Sequence, residues 1–180
     1  MGLTPVAAGQ RVTAALLNGL PVTLSQLATG SVASSVAETV IGTVTIPAND
    51  PTVGQGYMLR VFGSADDVLT PTLHLRLRLT SAAGTLISDF GTQTCRTATN
   101  MQFIVDCPLY FTAAGAAGAF YNFGEMREEF VTAAAVEHDS GSIGVAADTT
   151  APVVIVITAV WGTSSASNIC RTLAGALTRI

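Results

Sequence analysis

The sequence predicts an all-β protein, a single jelly-roll-like β-sandwich of about eight antiparallel strands that follows a short N-terminal helix and an extended arm. Three observations predict this class. Apolar and polar residues alternate with a period of two, most clearly in LHLRLRL at 73–79, as in a strand with one buried face. Turn-forming residues separate the strands at roughly 8–15-residue intervals. No helical period is sustained beyond the N-terminal segment, which argues against alternating strands and helices.

Residues 1–38 form a predicted anchoring arm and linker, and the oligomerising β-sandwich domain covers residues 39–180. Thr13 is the predicted cap of a short helix over residues 14–18. An extended piece at 21–27 and a linker of small residues follow. The segment is too short to build a core, so its leucines pack either under their own domain or against another protein. Both alternatives stay open, and the candidates for partner docking are Arg11, Leu16, Leu17, Leu20 and Leu24.

Three strands are predicted in the first half of the domain. In the first, VIGTVTIP, alternation places Val40, Val44 and Ile46 inward and the two threonines outward. Pro and Asn residues then mark a turn. In the third, the four leucines face the core, while the alternate positions carry one histidine and two arginines. The predicted ranges are 40–47, 57–63 and 73–79.

The second half continues with strands and turns. SAAG predicts a hairpin turn, and MQFIVDCPLYF predicts a strand that is interrupted at Pro108. YNFGEMREEFVT fits either a strand or a helix. PVVIVITAVW predicts a central buried strand because it is short, apolar and β-branched. The tail from Asn168 to Ile180 supplies the last strand.

The chain is rich in apolar residues and poor in charge. Of its 180 residues, 49% are hydrophobic and 11% are charged, whereas an average soluble domain has roughly 25% charged residues. No run approaches the ~20 apolar residues of a membrane-spanning helix. We therefore expect protein, either copies of the chain or a larger assembly, to cover the apolar excess. The net charge of −4 argues against a nucleic-acid partner.

Residues with catalytic or metal-binding chemistry are few and scattered. His74 is assigned to the polar face of its strand, and the HDSG segment at 138–141 is predicted to be a turn. Asp66 and Asp67 predict a solvated turn rather than a calcium site, because no DxDxDG loop is present. The sequence thus predicts no enzyme, no cofactor and no metal site. Three cysteines are predicted to be buried apolar residues, although one pair could form a disulfide: Cys95, Cys107 and Cys170.

Two further groups of residues receive structural roles. Charges of alternating sign at Glu125, Arg127, Glu128 and Glu129 predict a set of salt bridges at the rim of the domain. The aromatic residues are predicted to lie in the core rather than on a binding surface, because they make up only 6% of the chain and Trp161 ends the most apolar run. The other members of this aromatic set are Tyr57, Tyr110 and Tyr121.

Two stretches resemble known proteins. AGQRVTAALLNGLP (8–21) resembles the opening of many small virion proteins from phages of actinobacteria. TVTIPAND, VGQGYMLRVFGSA and TPTLHLRLRL within 43–79, with ITAVWGTSSASN (157–168), are similar to the β-domain of phage head-fibre, decoration and tail-fibre proteins. The resemblance implies a jelly-roll domain, often trimeric, whose N-terminal residues anchor it to a capsid or tail.

We therefore expect a bacteriophage virion structural protein at the particle surface, made in the host cytoplasm. It would act as a capsid decoration or head-fibre protein that docks by its N-terminal arm and projects an oligomeric β-domain, for which the resemblance implies a homotrimer. One alternative is a tail-fibre or tail-tip component that binds host glycans through loops such as 63–72 and 113–125. A cell-wall hydrolase that uses Glu128 or His138 is the other.

Overall fold

In the computed structural model, residues 22–131 and 136–180 fold into two antiparallel β-sheets that form a β-sandwich. No helix occurs within these two ranges. Nine of the twelve strands in them have eight residues or more. The all-β prediction is confirmed, with more strands than predicted. The strands are β1 Val22–Gln26, β2 Ala28–Thr29, β3 Ser31–Ala33, β4 Thr39–Ile46, β5 Gly56–Asp67, β6 Thr72–Leu79, β7 Leu86–Thr94, β8 Ala98–Ala113, β9 Ala119–Glu128, β10 Val136–Ala146, β11 Val153–Trp161 and β12 Ile169–Arg179.

The strands divide into a seven-stranded and a five-stranded sheet. The larger sheet has the order β1-β12-β5-β8-β9-β10, with β3 also paired to β12, and the smaller has the order β2-β4-β11-β6-β7. Eight of the eleven connections pass from one sheet to the other, and only β6–β7, β8–β9 and β9–β10 stay within one sheet. The inner faces of the two sheets meet in one hydrophobic core.

The core follows the alternation of the strands. Leu73, Leu75 and Leu77 of β6 are at most 1% exposed, as their spacing predicts. β11 lies at the centre of the smaller sheet, between β4 and β6, and Trp161 at its end is fully buried. Burial of each large apolar side chain of this kind contributes about 1.5–3 kcal/mol, which explains why these strands hold the two sheets together.

Both lateral edges of the sandwich are joined by hydrogen bonds. On one side, the Asp89 amide of β7 donates to the Ser140 hydroxyl of β10 at 2.7 Å. On the other side, β1 pairs with β12 in the larger sheet and β2 pairs with β4 in the smaller sheet. The Thr45 amide there donates to the Ser25 hydroxyl at 3.1 Å. The two sheets are thus tied to each other by β7 and β10 at one edge and by β1 and β4 at the other.

The predicted orientation of Val40 is wrong. Val40 is 36% exposed, and its neighbour Ile41 is fully buried. The pairing of β4 with β11 explains the difference, because Gly42 pairs with Ile157 and Val40 pairs with Thr158, which leaves Ile41 as an extra residue. A β-bulge of this kind shifts the alternation by one residue.

The predicted interruption at Pro108 is also wrong, because β8 continues to Ala113. Pro108 pairs with Met58 of β5, but no pairing with β9 is formed at this residue. Proline lacks an amide hydrogen, so it fits where one side of the ladder is already interrupted. Leu109 and Phe111 beyond it are buried and continue the inward-facing row.

Part of the predicted arm and linker belongs to the two sheets. The predicted helix and the residues up to 21 lie outside the described residues. From Val22 the chain is extended, as predicted for 21–27, and β1 pairs with β12. β2 and β3 occupy part of the stretch predicted to be a linker. Val32 of β3 is 5% exposed, so this stretch contributes to the core.

Several other predictions concern segments between strands. The hairpin at 81–84 joins β6 and β7 as predicted, and the final strand is formed by β12. YNFGEMREEFVT, whose sequence fits either a strand or a helix, forms a strand, because β9 covers its residues 121–128. The supposed loops at 63–72 and 113–125 consist largely of strand, because β5 extends to Asp67 and β9 begins at Ala119.

Candidate interaction surface

The outer face of the seven-stranded sheet carries exposed aromatic side chains. Phe62 of β5, Tyr110 of β8, and Tyr121 and Phe123 of β9 are exposed by 40%, 49%, 47% and 57%. Tyr110 and Tyr121 pair directly across neighbouring strands. We call this surface the aromatic face. The prediction that the tyrosines lie in the core is wrong for these two and holds for Tyr57, which is fully buried.

The alternation of β9 produces this surface. Phe120, Asn122, Gly124 and Met126 point into the protein, so the residues between them point outward. The signal is present in the sequence, since AFYNFGEMRE has a period of two. It is obscured because aromatic residues occur on both faces of the strand, so hydrophobicity does not distinguish the inner face from the outer one.

A band of charged side chains crosses the aromatic face. Arg60 of β5 donates to both carboxylate oxygens of Asp106 of β8, and the longer of these bonds is 2.9 Å. Arg127 of β9 lies 3.3 Å from Asp106 and 3.0 Å from Glu125. The hydrogen bond and the charge of Asp106 raise the pKa of Arg60. Two positive and two negative groups therefore neutralise one another within the face.

The outer face of the five-stranded sheet carries a second charged group, which we call the Glu38 cluster. Glu38 accepts hydrogen bonds from Arg76 at 2.7 Å and from Arg78 at 2.6 Å. Asp89 in turn binds His74 and lies 3.0 Å from Arg76. His74 lies on the polar face of its strand, as predicted, and its nearest carboxylate comes from the adjacent strand β7.

The Glu38 cluster depresses the pKa of both of its carboxyl groups. Burial alone would raise the pKa of Asp89, but hydrogen bonds from His74, the Gly91 amide and Arg76 outweigh it and lower the pKa to about 2. Burial likewise opposes the lowered pKa of Glu38, and the hydrogen bond from Arg78 is the largest of the effects that overcome it. Both carboxylates thus stay ionised near neutral pH, and Glu38 fixes the segment before β4 to the sheet.

A third polar group lies at the edge formed by β9 and β10. Glu128 is 1% exposed, and it accepts a hydrogen bond from the Phe130 amide. Its Oε1 atom lies 3.1 Å from Nε2 of His138, and the other ring nitrogen of His138 lies 3.3 Å from the Gln93 amide nitrogen. The predicted turn at 138–141 is wrong, because these residues belong to β10 and pair with β9.

The predicted rim set of salt bridges is therefore correct only in part. Arg127 and Glu125 form an exposed ion pair, whereas Glu128 points inward and is buried. The difference follows from the alternation of β9, in which neighbouring residues face opposite sides of the sheet. A run of charges along one strand does not form one cluster.

Asp67 is buried at the end of β5, so the predicted solvated turn is wrong at this residue. Its side chain is fully buried, and neither oxygen has a hydrogen-bond partner that meets standard geometry within the described residues. Burial raises the pKa of Asp67, and the nearby amides of Thr70 and Leu69 counteract it only in part. Asp66 faces outward and binds Arg171 at 2.8 Å.

The three cysteines are buried, as the sequence predicts for apolar residues, and they are free in this structure. Burial raises the pKa of Cys95 and of Cys107 to about 12 and that of Cys170 still further. A thiol with such a pKa is not ionised near neutral pH and reacts poorly as a nucleophile.

Of the residues predicted to dock a partner, one lies in the described part of the chain. Leu24 of β1 is half-buried and packs against the core, which is the alternative of packing under its own domain. Arg11, Leu16, Leu17 and Leu20 lie outside the described residues.

The described residues form neither a cluster of metal-binding side chains nor a membrane-spanning helix. Across residues 22–131 and 136–180, no group of three or more histidine, cysteine, aspartate or glutamate side chains could hold a metal ion. The same ranges contain no helix that is long and apolar enough to span a membrane.

Comparison with known proteins identifies no relative, so function has to be inferred from the aromatic face and the polar clusters. No protein-family profile matches the chain. No curated protein matches it significantly.

Proposed function

We propose that the chain is a structural protein of a bacteriophage particle, a capsid decoration or head-fibre protein without catalytic activity. In this proposal residues at the N-terminus dock onto the particle, and the β-sandwich projects from the surface as an oligomer. The resemblance of residues 8–21 to the opening of phage virion proteins suggests the setting.

The observation that carries the proposal is the aromatic face on a chain with few charges. Protein interfaces are enriched in tyrosine, phenylalanine and arginine and depleted of lysine and acidic residues at their centre. The aromatic face shares the enrichment, because Phe123 and Tyr110 are about half exposed, and its two acidic residues are neutralised by its two arginines. The chain also contains no lysine. A surface of this kind favours assembly with other protein chains over a monomeric state.

The strand connections are compatible with the jelly-roll-like arrangement that we propose for the domain. Eight of the eleven pass between the sheets, and frequent crossing is typical of jelly rolls. β6–β7 and the β8–β9–β10 meander remain within one sheet, so the arrangement is a variant rather than a regular jelly roll.

The structure narrows the segment proposed for docking. β1 to β3 pair with the main sheets between Val22 and Ala33, and Leu24 already packs on the core. The docking role therefore falls on the residues before β1. Three leucines buried at a partner could contribute roughly 1.5–3 kcal/mol each, and many copies on one particle would multiply the avidity.

The test is a particle-binding assay with the full-length chain. The double variant Leu16→Asp and Leu17→Asp, added to phage particles assembled without the protein, should lose binding by at least about tenfold. Leu69→Asp is the matched control, since Leu69 is 70% exposed within the domain, and it should bind like the wild type. Undiminished binding by the double variant would contradict docking through the arm.

A second candidate function is a tail-fibre or tail-tip role in which the domain binds a host glycan. The exposed rings of Tyr110, Tyr121 and Phe123 favour it, because flat aromatic side chains beside hydrogen-bonding groups such as Glu125 suit sugar rings. A glycan array with the wild type, Tyr121→Ala and the control Val53→Ala would test it. Binding lost only in Tyr121→Ala would support this candidate over a purely structural role.

A further inference from the structure

The register of the seven-stranded sheet makes the aromatic face complementary to itself. Two outward residues of β8, Asp106 and Ile104, are paired with one residue of β9 and one of β5. They define two rows, in the order β9, β8, β5: Glu125–Asp106–Arg60 and Arg127–Ile104–Phe62. The register of β8 with β9 is the same on both sides of Pro108, so Phe123 stands opposite Pro108 without pairing to it, and Pro108 pairs with Met58 to complete a third row.

We propose that the aromatic face packs against the same face of a second copy about a two-fold axis that runs along β8. This inference rests on the proposed oligomeric function and names its contact. Such an axis places β9 of one copy over β5 of the other and keeps each row opposite itself. Two sheets packed in this way lie about 10 Å apart with nearly aligned strands.

The contacts that this axis creates between β9 of one copy and β5 of the other are favourable, and Asp106, which would meet its own counterpart on the axis, is already paired with Arg60 and Arg127. Phe123 would lie over Met58, which is an aromatic–thioether contact. Glu125 would face Arg60, whose side chain is 55% exposed, so opposite charges meet twice across the axis. Arg127 would face Phe62, which permits a cation–π contact.

The charge and size of the face also fit a second copy. The two arginines and two acids of the band neutralise one another, so no unpaired charge would be buried between copies. Glu137 and Asp139 lie exposed on β10, at the rim, where charges stay hydrated. Five strands of about nine residues present roughly 700 Å², close to the ~800 Å² per partner of a standard interface.

The test compares the association of full-length variants by sedimentation velocity. The wild type should be a dimer. Phe123→Arg should weaken association by at least about tenfold, because it adds to the face a third arginine that, unlike Arg60 and Arg127, has no acidic partner. Val53→Arg is the control, since Val53 is 71% exposed in the turn before β5, and it should associate like the wild type. Melting temperatures of both variants verify that they are folded.

A complementation experiment tests the axis itself. Glu125→Arg alone faces Arg60 of its copy, and Arg60→Glu alone faces Glu125, so each variant should associate weakly on its own. In a mixture, the substituted position of the Glu125→Arg variant faces the substituted position of the Arg60→Glu variant, so opposite charges meet there, and the native Arg60 and Glu125 meet at the second contact. The mixture should therefore regain dimers, with at least about tenfold tighter association than either variant alone.

The outcomes separate this inference from the proposed function. A dimeric wild type whose association survives Phe123→Arg, or variants that fail to complement, would overturn the two-fold contact and leave an oligomeric particle protein in place. A trimeric wild type, as the family resemblance implies, would also overturn the two-fold contact. A monomeric wild type would overturn both the contact and the oligomeric part of the proposed function, whereas docking to the particle is measured independently with the arm variant.

Discussion

The Glu38 cluster offers the sharpest test of how the domain is held together. Glu38 lies just before β4 and is 18% exposed, and its carboxylate accepts hydrogen bonds from Arg76, Arg78 and the Thr158 hydroxyl. Replacement of Glu38 by glutamine keeps the shape of the side chain and removes its charge. We expect Glu38→Gln to be less stable than the wild type at neutral pH.

The magnitude follows from the partners that remain. Exposed ion pairs contribute about 0–1 kcal/mol, and loss of one partner of a buried pair costs about 3–5 kcal/mol. Arg76 keeps Asp89 at 3.0 Å, and Arg78 keeps the Gly84 carbonyl at 3.0 Å, so we expect a loss of about 2 kcal/mol. For a domain of this size that corresponds to a fall of roughly 4–8 °C in Tm.

The loss should depend on pH in a defined direction. The folded-state pKa of Glu38 is lowered, so its contribution is fully present above the unfolded-state pKa and disappears as the pH falls through the folded-state pKa. Urea denaturation of wild type and variant should therefore show a gap in unfolding free energy at pH 7 that closes in acid. Glu137→Gln is the control, because Glu137 is exposed on β10. Equal stability of Glu38→Gln and wild type at pH 7 would refute the reasoning.

Three further stability predictions can be checked by the same denaturation assay. Asp67→Asn should be more stable than wild type by about 1 kcal/mol at pH 7, and its advantage should shrink in acid because burial raises the pKa of Asp67. Gly63→Ala should cost about 1–3 kcal/mol or more, since a Cβ there would lie 2.6 Å from the Arg171 carbonyl oxygen and closer still to a buried phenylalanine ring. Tyr57→Phe should cost about 1–2 kcal/mol, because the buried hydroxyl donates to Asp50 at 2.7 Å. Wild-type stability of any variant would contradict its own prediction.

The parts of the fold that were predictable depend on residues close in sequence. The leucines of β6 alternate strictly with polar residues, so the face they bury is evident from the sequence. The bulge at Ile41 was not predictable, because it depends on how β4 aligns with β11, more than a hundred residues away. The continuation of β8 through Pro108 was not predictable for a similar reason. Proline has no amide hydrogen to donate, and whether this matters depends on which neighbouring strand pairs at that residue.

The polar sites were less predictable because their partners come from distant strands. Glu38 meets Thr158 and Arg76 only when the two sheets are assembled, and no spacing in the sequence indicates that meeting. His138 was assigned to a turn because its neighbours favour turns, whereas pairing with β9 prevails over that local preference. The aromatic face was missed because the strand that carries it is apolar on both sides.

The hydrogen bonds between β7 and β10, and between β1 and β4, limit how copies of the chain could join. An open sheet edge offers a row of free amides and carbonyls on which further chains can add without end. Here the Asp89 amide of β7 and the Ser140 hydroxyl of β10 bridge the two sheets at one edge, and the Thr45 amide and the Ser25 hydroxyl bridge them at the other. Such bridges hinder the approach of another strand, so edge-to-edge addition of chains is disfavoured. Contacts between copies would instead use side chains on the sheet faces, and such contacts end when the face is filled.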